Sequence, residues 1–357
     1  MKTLRREPLL FLVVAGIVAA LALFILYPVL RVLCYPTLRD FLALPATERY
    51  VTATMHTAVI VLLSTTTATL VGFLFAYTVT RTNVPGRRLF RAIALLPLFS
   101  PPFMIAFSYI LMFGRNGLVT YTLFGSRVNI IGWHGLWLSQ TIAFFPIAAL
   151  VMEGVLQSVA PSLEYAARNL GAGGWQAFRT VVFPLARPGV AGAALLVAIY
   201  VLADFGNPVM IAGHYTVLPT EAWARISGWG DVSGAAVLSS ILLLPAFGLF
   251  LLQRYWVGRR QYITITGKAA MLAIPRVPWY TRWPLFGLCL LVCLLILCVF
   301  VGLLAGAFSR GWGFDYTPTL KHWGDVLANG RALIHSLAFA GVAAAVSSAI
   351  SILAAYL

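Results

Sequence analysis

Charge is scarce in this sequence. Only 10% of its 357 residues are Asp, Glu, Lys or Arg, where a soluble domain carries roughly a quarter. With 61% hydrophobic residues and a mean hydropathy of +0.91, a soluble core has no room for so much apolar side chain, and the composition implies a polytopic membrane protein. Acidic residues number ten against 25 Lys and Arg, a net charge of +15. No basic patch with interleaved aromatics accompanies that charge, so a nucleic-acid partner is excluded. Cysteine is equally sparse. Cys289, Cys293 and Cys298 lie in one apolar run and Cys34 stands apart. None has the closely spaced polar neighbours of a metal site, and Cys289 and Cys293, four apart, read as small apolar residues of one helix face. There is no G-x-x-x-x-G-K-[ST] phosphate loop and no H-E-x-x-H helix. Paired carboxylates and Ser/His arrangements at membrane depth are missing too. Neither catalytic residues, a metal nor a cofactor is expected. A cleavable signal peptide is also missing, because the first apolar run, Pro8 to Leu30, exceeds a typical h-region and no small-residue cleavage site follows it. It reads as a retained anchor.

What is present is a series of long apolar runs. About 20 apolar residues cross the hydrocarbon core as a helix, and that ruler predicts eight transmembrane helices near 8–32, 53–79, 91–113, 133–154, 188–210, 235–256, 284–307 and 334–357. The expected fold is therefore all-α. Placing the N-terminus in the cytoplasm puts sixteen Lys and Arg on the inner side, Lys2, Arg5, Arg6, Arg259, Arg260, Lys268 and Arg276 among them, and nine on the outer side. The positive-inside rule favours that orientation. Trp133, Trp137, Trp279, Trp283 and Trp312 fall near span ends, where amphipathic rings prefer to sit.

The sequence also repeats itself. "HTAVIVLLSTTTATLVGFLFAY" (His56 to Tyr77) matches "HSLAFAGVAAAVSSAISILAAY" (His335 to Tyr356) in its His, its small polar residues and its closing Ala-Tyr, and "PTLR" at Pro36 recurs as "PTLK" at Pro318. Both copies would run in the same direction, a parallel repeat about an axis along the membrane normal. The expected organisation is one complete six-helix unit over 1–260, a cytoplasmic linker over 261–283 and an incomplete second repeat over 284–357. The chain reads as a shortened form of a longer two-copy protein.

The most informative segment, "EYAARNLGAGGWQAFRTVVFPLARP", runs from Glu164 to Pro188 between the fourth and fifth spans. Ser162 is a candidate N-cap and Glu164 sits near the positive helix end. Glu164 and Arg168, four apart, suit an exposed helix face. Gly171, Gly173 and Gly174 stop the helix and permit a sharp turn. A second stretch places Trp175, Phe178 and Val182 on one stripe, and Pro184 and Pro188 mark the start of the fifth span. Residues 158–188 thus predict a helix–turn–helix on the inner surface.

This segment resembles the cytoplasmic coupling loop of permeases in bacterial ATP-binding-cassette importers, with the pattern E-A-A, three residues, G, nine residues, I-x-L-P. Ala166 and Ala167 match the alanines, Gly171 the glycine, and "VVFP" ending at Pro184 the last element. Tyr165 occupies the glutamate position with Glu164 just before it, so which of the two makes the charged contact stays open. Glu164, Tyr165, Ala166, Ala167, Arg168, Gly171 and Pro184 are the candidate coupling residues. "VTRTNVPGRRLFRAIALLPLFSPPF", "FGRNGLV" and "YVLADFGNPVMIAGHYTVLPTEAW" are similar to the two-repeat permeases of ferric iron importers, and related permeases for 2-aminoethylphosphonate and thiamine share this vocabulary. The resemblance implies a multi-pass protein of the bacterial inner membrane. It also implies cytoplasmic ATPase subunits and a periplasmic substrate-binding protein as partners, with the lipid bilayer around it.

Candidate path residues follow from polarity within spans. Asp204 is an acid inside an apolar run, which is expensive in lipid. Gly206 and Pro208 should loosen the helix beside it, and Asn207 can satisfy freed backbone groups. Pro97, Ser100, Pro101 and Pro102 suggest a kinked, pore-side third span. Two assignments remain open there: Asp204 as path lining or as a cap of its own broken helix, and the prolines as a pore feature or a packing kink. Glu153 reads as solvated at the inner end of the fourth span, and His56 and His335 as interfacial. The outer loop 213–234 carries His214, Tyr215, Glu221, Trp223 and Asp231, and is either a contact for a binding protein or a covered loop. An ion-driven secondary transporter is the remaining alternative, but it needs buried ionisable residues, and Asp204 alone is thin support.

Overall fold

The computed structural model describes residues 8–42, 46–257 and 277–356. Among them, eight helices are long and apolar enough to cross a membrane. In chain order with the shorter elements, the helices are α1 (Phe11–Cys34), α2 (Glu48–Arg81), α3 (Arg87–Leu95), α4 (Pro102–Leu123), α5 (Trp133–Ser158), α6 (Pro161–Asn169), α7 (Gly174–Leu202), α8 (Gly206–Ile211), α9 (Leu218–Trp229), α10 (Val232–Tyr255) and α11 (Trp279–Phe308). A two-stranded antiparallel hairpin, β1 (Ser309–Gly311) and β2 (Asp315–Pro318), then leads to α12 (Lys321–Ala328) and α13 (Arg331–Leu353). The chain forms two compact units by contact, one over Ala43–Gly306 and one combining Met1–Leu42 with Ala307–Leu357.

In the larger unit α2 and α5 form the central pair. Small residues make their approach possible. A Cβ at Gly72 would lie 2.6 Å from the Ala148 Cβ and 2.9 Å from the Ala149 nitrogen, so only glycine fits that crossing. Close helix pairs in lipid depend on such residues, because apolar side chains alone gain little by leaving hydrocarbon. Around the crossing Ala68, Ala76 and Met152 are buried, and Phe75 meets Phe145 edge-on at 5.9 Å. In the threonine-rich sequence of α2, Thr57, Thr78 and Thr80 each donate to the carbonyl four residues earlier, while the buried hydroxyls of Thr65 and Thr69 find no partner. α7 closes on the pair at Gly189, where a Cβ would meet Val155. α11 adds Cys289, Cys293, Ile296 and Val299 to the same core. The two cysteines are thus buried small residues, and the Cys293 thiol donates to the Phe90 carbonyl at 3.8 Å.

Two expected spans are drawn differently. The third, placed over 91–113, is not one kinked helix but two pieces. α3 ends at Leu95, a 3-10 turn covers Leu96–Phe99, and Ser100 and Pro101 are extended before α4 begins at Pro102. Ser100 and Pro101 each precede a proline, whose ring pushes the preceding residue out of the helical region, so the run breaks rather than bends. The fifth, placed over 188–210, starts earlier and stops earlier. α7 begins at Gly174 and takes both Pro184 and Pro188 inside it, with a wider π-turn at Phe178–Val182 just before Pro184. It ends at Leu202, and α8 resumes at Gly206. The second arm of the predicted helix–turn–helix is therefore the foot of the span itself.

In the smaller unit α1 touches α13, with Gly16 and Ile350 lining their junction. The hairpin pairs Ser309 with Pro318 and Gly311 with Asp315, His322 Nε2 lies 3.0 Å from the Ser309 carbonyl, and Trp323 packs on Phe308. His335 is exposed beside Phe339. Most of the linker predicted over 261–283, together with Lys2, Arg5, Arg6, Arg259, Arg260, Lys268 and Arg276, lies outside the described residues.

Candidate functional site

The segment after α5 folds into a tight elbow. Val159 and Ala160 are extended, and Pro161, with its fixed φ, opens α6. The N-cap position is Ala160 without a side-chain bond, so Ser162 lies inside the first turn and is not the cap the sequence suggested. α6 ends at Asn169, and just beyond it Gly171 has a φ of +91°, in the left-handed region. Its N–H bonds to the Arg168 carbonyl at 2.9 Å and that of Ala172 to the Ala167 carbonyl at 3.0 Å. A residue with a β-carbon is strained there, and glycine is the usual helix terminator for that reason. Three residues later α7 begins.

The charges of α6 point inward. Glu164 is buried, accepts from Arg168 Nη2 at 2.9 Å and lies 3.9 Å from Arg81 Nη1. The expected Glu164–Arg168 pair forms, but on the packed face of the helix and not the exposed one. Arg81, the last residue of α2, is 6% exposed and also donates to the carbonyls of Leu156 and Val159. One guanidinium therefore ties the end of α2, the end of α5 and α6 together. Alongside, Phe178 of α7 lies 5.3 Å from Tyr77 and 6.2 Å from Phe73, both on α2, and stacks on Trp175 at 5.4 Å. The outward side of the elbow carries large apolar residues: Leu163, Leu170 and Trp175 are exposed with Ala166, next to the exposed polar side chains of Asn169, Gln176 and Arg179, while Ala167 and Tyr165 are half-buried. Between Glu164 and Tyr165, the glutamate is committed internally.

The second group forms around Asp204. Its buried carboxylate accepts from Gln140 Nε2 at 2.9 Å, from Asn207 Nδ2 at 2.9 Å and from the Asn207 N–H at 3.2 Å. Gln140 in turn accepts from Ser64 at 2.8 Å. Ser64, Gln140 and Asn207 are essentially inaccessible, and Pro208 is buried in the first turn of α8. A buried acid bonded this way is the cap of an interrupted helix, fastened to α2 and α5. Gln140 and Ser64 were not singled out from the sequence, although an amide inside an apolar span is itself a signal, being costly in lipid. The interruption meets the one in the third span: a Cβ at Gly206 would sit 3.0 Å from the Phe103 nitrogen. Ser100 spends its hydroxyl on the Pro97 carbonyl at 3.2 Å, and Pro101 is exposed beside it.

Further acidic residues of the described segments are also paired. Glu153, expected to be solvated, is half-buried and lies 3.0 Å from Arg91. At the end of α2 remote from Arg81, the loop expected over 213–234 folds largely into α9. There Glu221, 1% exposed, bridges Arg49 at 2.8 Å and Arg225 at 3.3 Å, and Arg225 reaches Asp231 at 3.3 Å. Trp223 is exposed.

Residues 68–314 match the family model described as "Binding-protein-dependent transport system inner membrane component". A Haemophilus influenzae protein named as a ferric transport system permease is 33% identical over 81% of this chain and 48% of its own length. The ferric transport system permease protein of Actinobacillus pleuropneumoniae is 32% identical over 81% of this chain and 44% of its own. The chain spans about half the length of these curated relatives. A chain from the crystal structure of a bacterial alginate ABC transporter, in complex with an alginate pentasaccharide-bound periplasmic protein, superposes with a TM-score of 0.63 at 18% identity, covering 74% of this chain and 98% of that one. That likeness concerns the fold alone.

Proposed function

Given that this chain belongs to the family of inner membrane components of binding-protein-dependent transport systems, we propose that it forms the membrane path of an ATP-driven importer and passes ferric iron from a periplasmic binding protein to the cytoplasm. The observation that carries this reading is the elbow. The charges of α6 are spent internally with Arg81, and Leu163, Leu170 and Trp175 are exposed on the elbow beside the exposed Arg179; exposed large apolar side chains grouped in this way mark a contact. The contact is the cytoplasmic ATPase. With no phosphate loop of its own, the chain supplies movement and the partner supplies nucleotide hydrolysis. Motion of α6 reaches α2 and α5 through Arg81, and α7 through Gly171 and the Phe178 cluster. Glu164, Tyr165, Ala166, Ala167, Arg168, Gly171 and Pro184 are the coupling residues. Asp204, Asn207 and Pro208 fasten the break before α8 from within the protein, and with Ser100 and Pro101 at the facing break they border the translocation path.

The iron assignment rests on two of the relatives, both named as ferric transport system permeases. The orientation follows the Lys and Arg count, with the N-terminus and the elbow cytoplasmic. The repeat division at 260 and 284 belongs to the same reading, the first unit carrying the elbow. The test is uptake by the assembled system in proteoliposomes, with binding protein on one side and ATPase on the elbow side. Labelled ferric iron should accumulate only with ATP, and excess 2-aminoethylphosphonate or thiamine should not compete. Uptake that follows the membrane potential without ATP would overturn the reading.

A further inference from the structure

At the far end of α2 from the elbow, an open pocket of about 590 Å³ is lined by His56, Asn129, Trp133, His214 and Tyr215 among others. Its walls are held in place. The Gly132 N–H bonds to the Ile211 carbonyl at 2.8 Å, joining the loop before α5 to the end of α8. Gly213, at φ +58°, packs so closely that a Cβ there would meet the Ile131 side chain at 2.5 Å. The Leu218 N–H donates to Thr57 at 2.8 Å, fixing the start of α9 on α2.

Within these walls His56 is oriented twice over. Its ring stacks on Tyr215 with centroids 3.9 Å apart and planes 16° from parallel, and the Tyr215 hydroxyl donates back to the His56 carbonyl at 3.1 Å. His56 Nδ1 lies 3.0 Å from the Thr216 carbonyl. A carbonyl only accepts, so Nδ1 carries a proton, and the tautomer this selects has its lone pair on Nε2. An imidazole whose other nitrogen donates to a backbone carbonyl is the outer-shell arrangement of metal-ligating histidines. His214 lines the same pocket on an exposed turn. Neither a carboxylate nor a cation lines it.

We propose that this pocket binds a first-row transition-metal cation through His56 Nε2 and the His214 imidazole, as the first station of the path. Imidazole donors suit such ions. Among the described residues no group of three or more His, Cys, Asp or Glu could hold a metal. Two ligands suit the task, because a station on a path must bind firmly enough to admit an ion and weakly enough to release it. The place on a transport path rests on the import reading above; the binding does not.

Copper(II) added to the tag-free purified chain in detergent provides the probe, read by electron paramagnetic resonance and equilibrium dialysis. One equivalent should bind with the splitting of two imidazole nitrogens. Affinity should fall at least about tenfold, the loss typical even of outer-shell disturbance, in both His56→Ala and His214→Ala, and stay unchanged in His335→Ala. His214 is exposed, so its removal leaves the fold intact. Wild-type affinity with an unchanged two-nitrogen signal in His214→Ala would overturn the site. If copper binds as expected while the assembled system carries no ferric iron, the site stands and the cargo assignment falls.

Discussion

At the scale of single residues, two buried polar centres decide most of what can be tested. Arg81 holds two backbone carbonyls and lies beside one carboxylate from three different places in the chain. Removing one partner of a buried charge pair typically costs about 3–5 kcal/mol, because the other is left uncompensated. Arg81→Ala should therefore lower the unfolding midpoint in detergent and abolish coupled uptake. Arg81→Lys should restore only part, since an ammonium is a point charge and cannot spread over three acceptors as the guanidinium fork does. A lysine variant with wild-type stability and uptake would remove Arg81 from the mechanism. Asp204 poses a different problem, being surrounded by donors. Asp204→Ala leaves Gln140 Nε2 and both Asn207 donors without their acceptor, at about 1–3 kcal/mol for each group left unsatisfied. Asp204→Asn is milder, because Gln140 can turn its amide over and the Ser64 hydroxyl can accept as well as donate. Thermal unfolding should rank wild type above Asn and Asn above Ala. Equal losses in both variants would mean the carboxylate is held by its charge rather than by these hydrogen bonds.

Among the elements, the elbow and the α2–α5 crossing are set by glycine. At Gly171 the left-handed φ is the requirement, and a Cβ there meets nothing within 4 Å. Space is thus not the constraint, and the substitution can be graded by backbone preference alone. Asparagine visits that region and valine does not, so Gly171→Asn should keep much of the uptake and Gly171→Val should lose it with the chain still folded. Gly72 is the converse, a position limited by space. Gly72→Leu should destabilise by about 1–3 kcal/mol, as overpacking does, measured by thermal unfolding. Of these two glycines the sequence marked one. Gly171 stood out because its turn follows a periodic helix and matches a known pattern. Gly72 did not, because close approach belongs to a partner helix 76 residues further on. Arg81 was hidden for a related reason: a basic residue at a span end serves topology first, and its three acceptors come from backbone and side chain in a segment that one-dimensional reading treats separately. The apolar runs marked the spans, but proline and the residue before it decided where the third run breaks. The stop at Leu202 came from the Asp204 cap, which depends on Gln140 of another helix.

On the scale of the whole larger unit, α2 is the ruler. From His56 in the pocket wall to Arg81 at the elbow the helix advances 25 residues, about 38 Å at 1.5 Å each, more than the roughly 30 Å of hydrocarbon. A spanning α2 thus puts the histidine pocket and the elbow in different aqueous compartments. The two proposals, a metal station at one end and an ATPase contact at the other, require that separation, and single cysteines can measure it. In a background with Cys34, Cys289, Cys293 and Cys298 replaced by alanine, Ala166→Cys and His214→Cys each place one exposed thiol at one end. A membrane-impermeant maleimide applied to intact spheroplasts should label His214→Cys alone, and in inverted vesicles Ala166→Cys alone. The reversed pattern would turn the orientation over and place the elbow beyond the reach of a cytoplasmic ATPase. Labelling of both from one side would mean that α2 does not span, and the coupling scheme would lose the lever on which it depends.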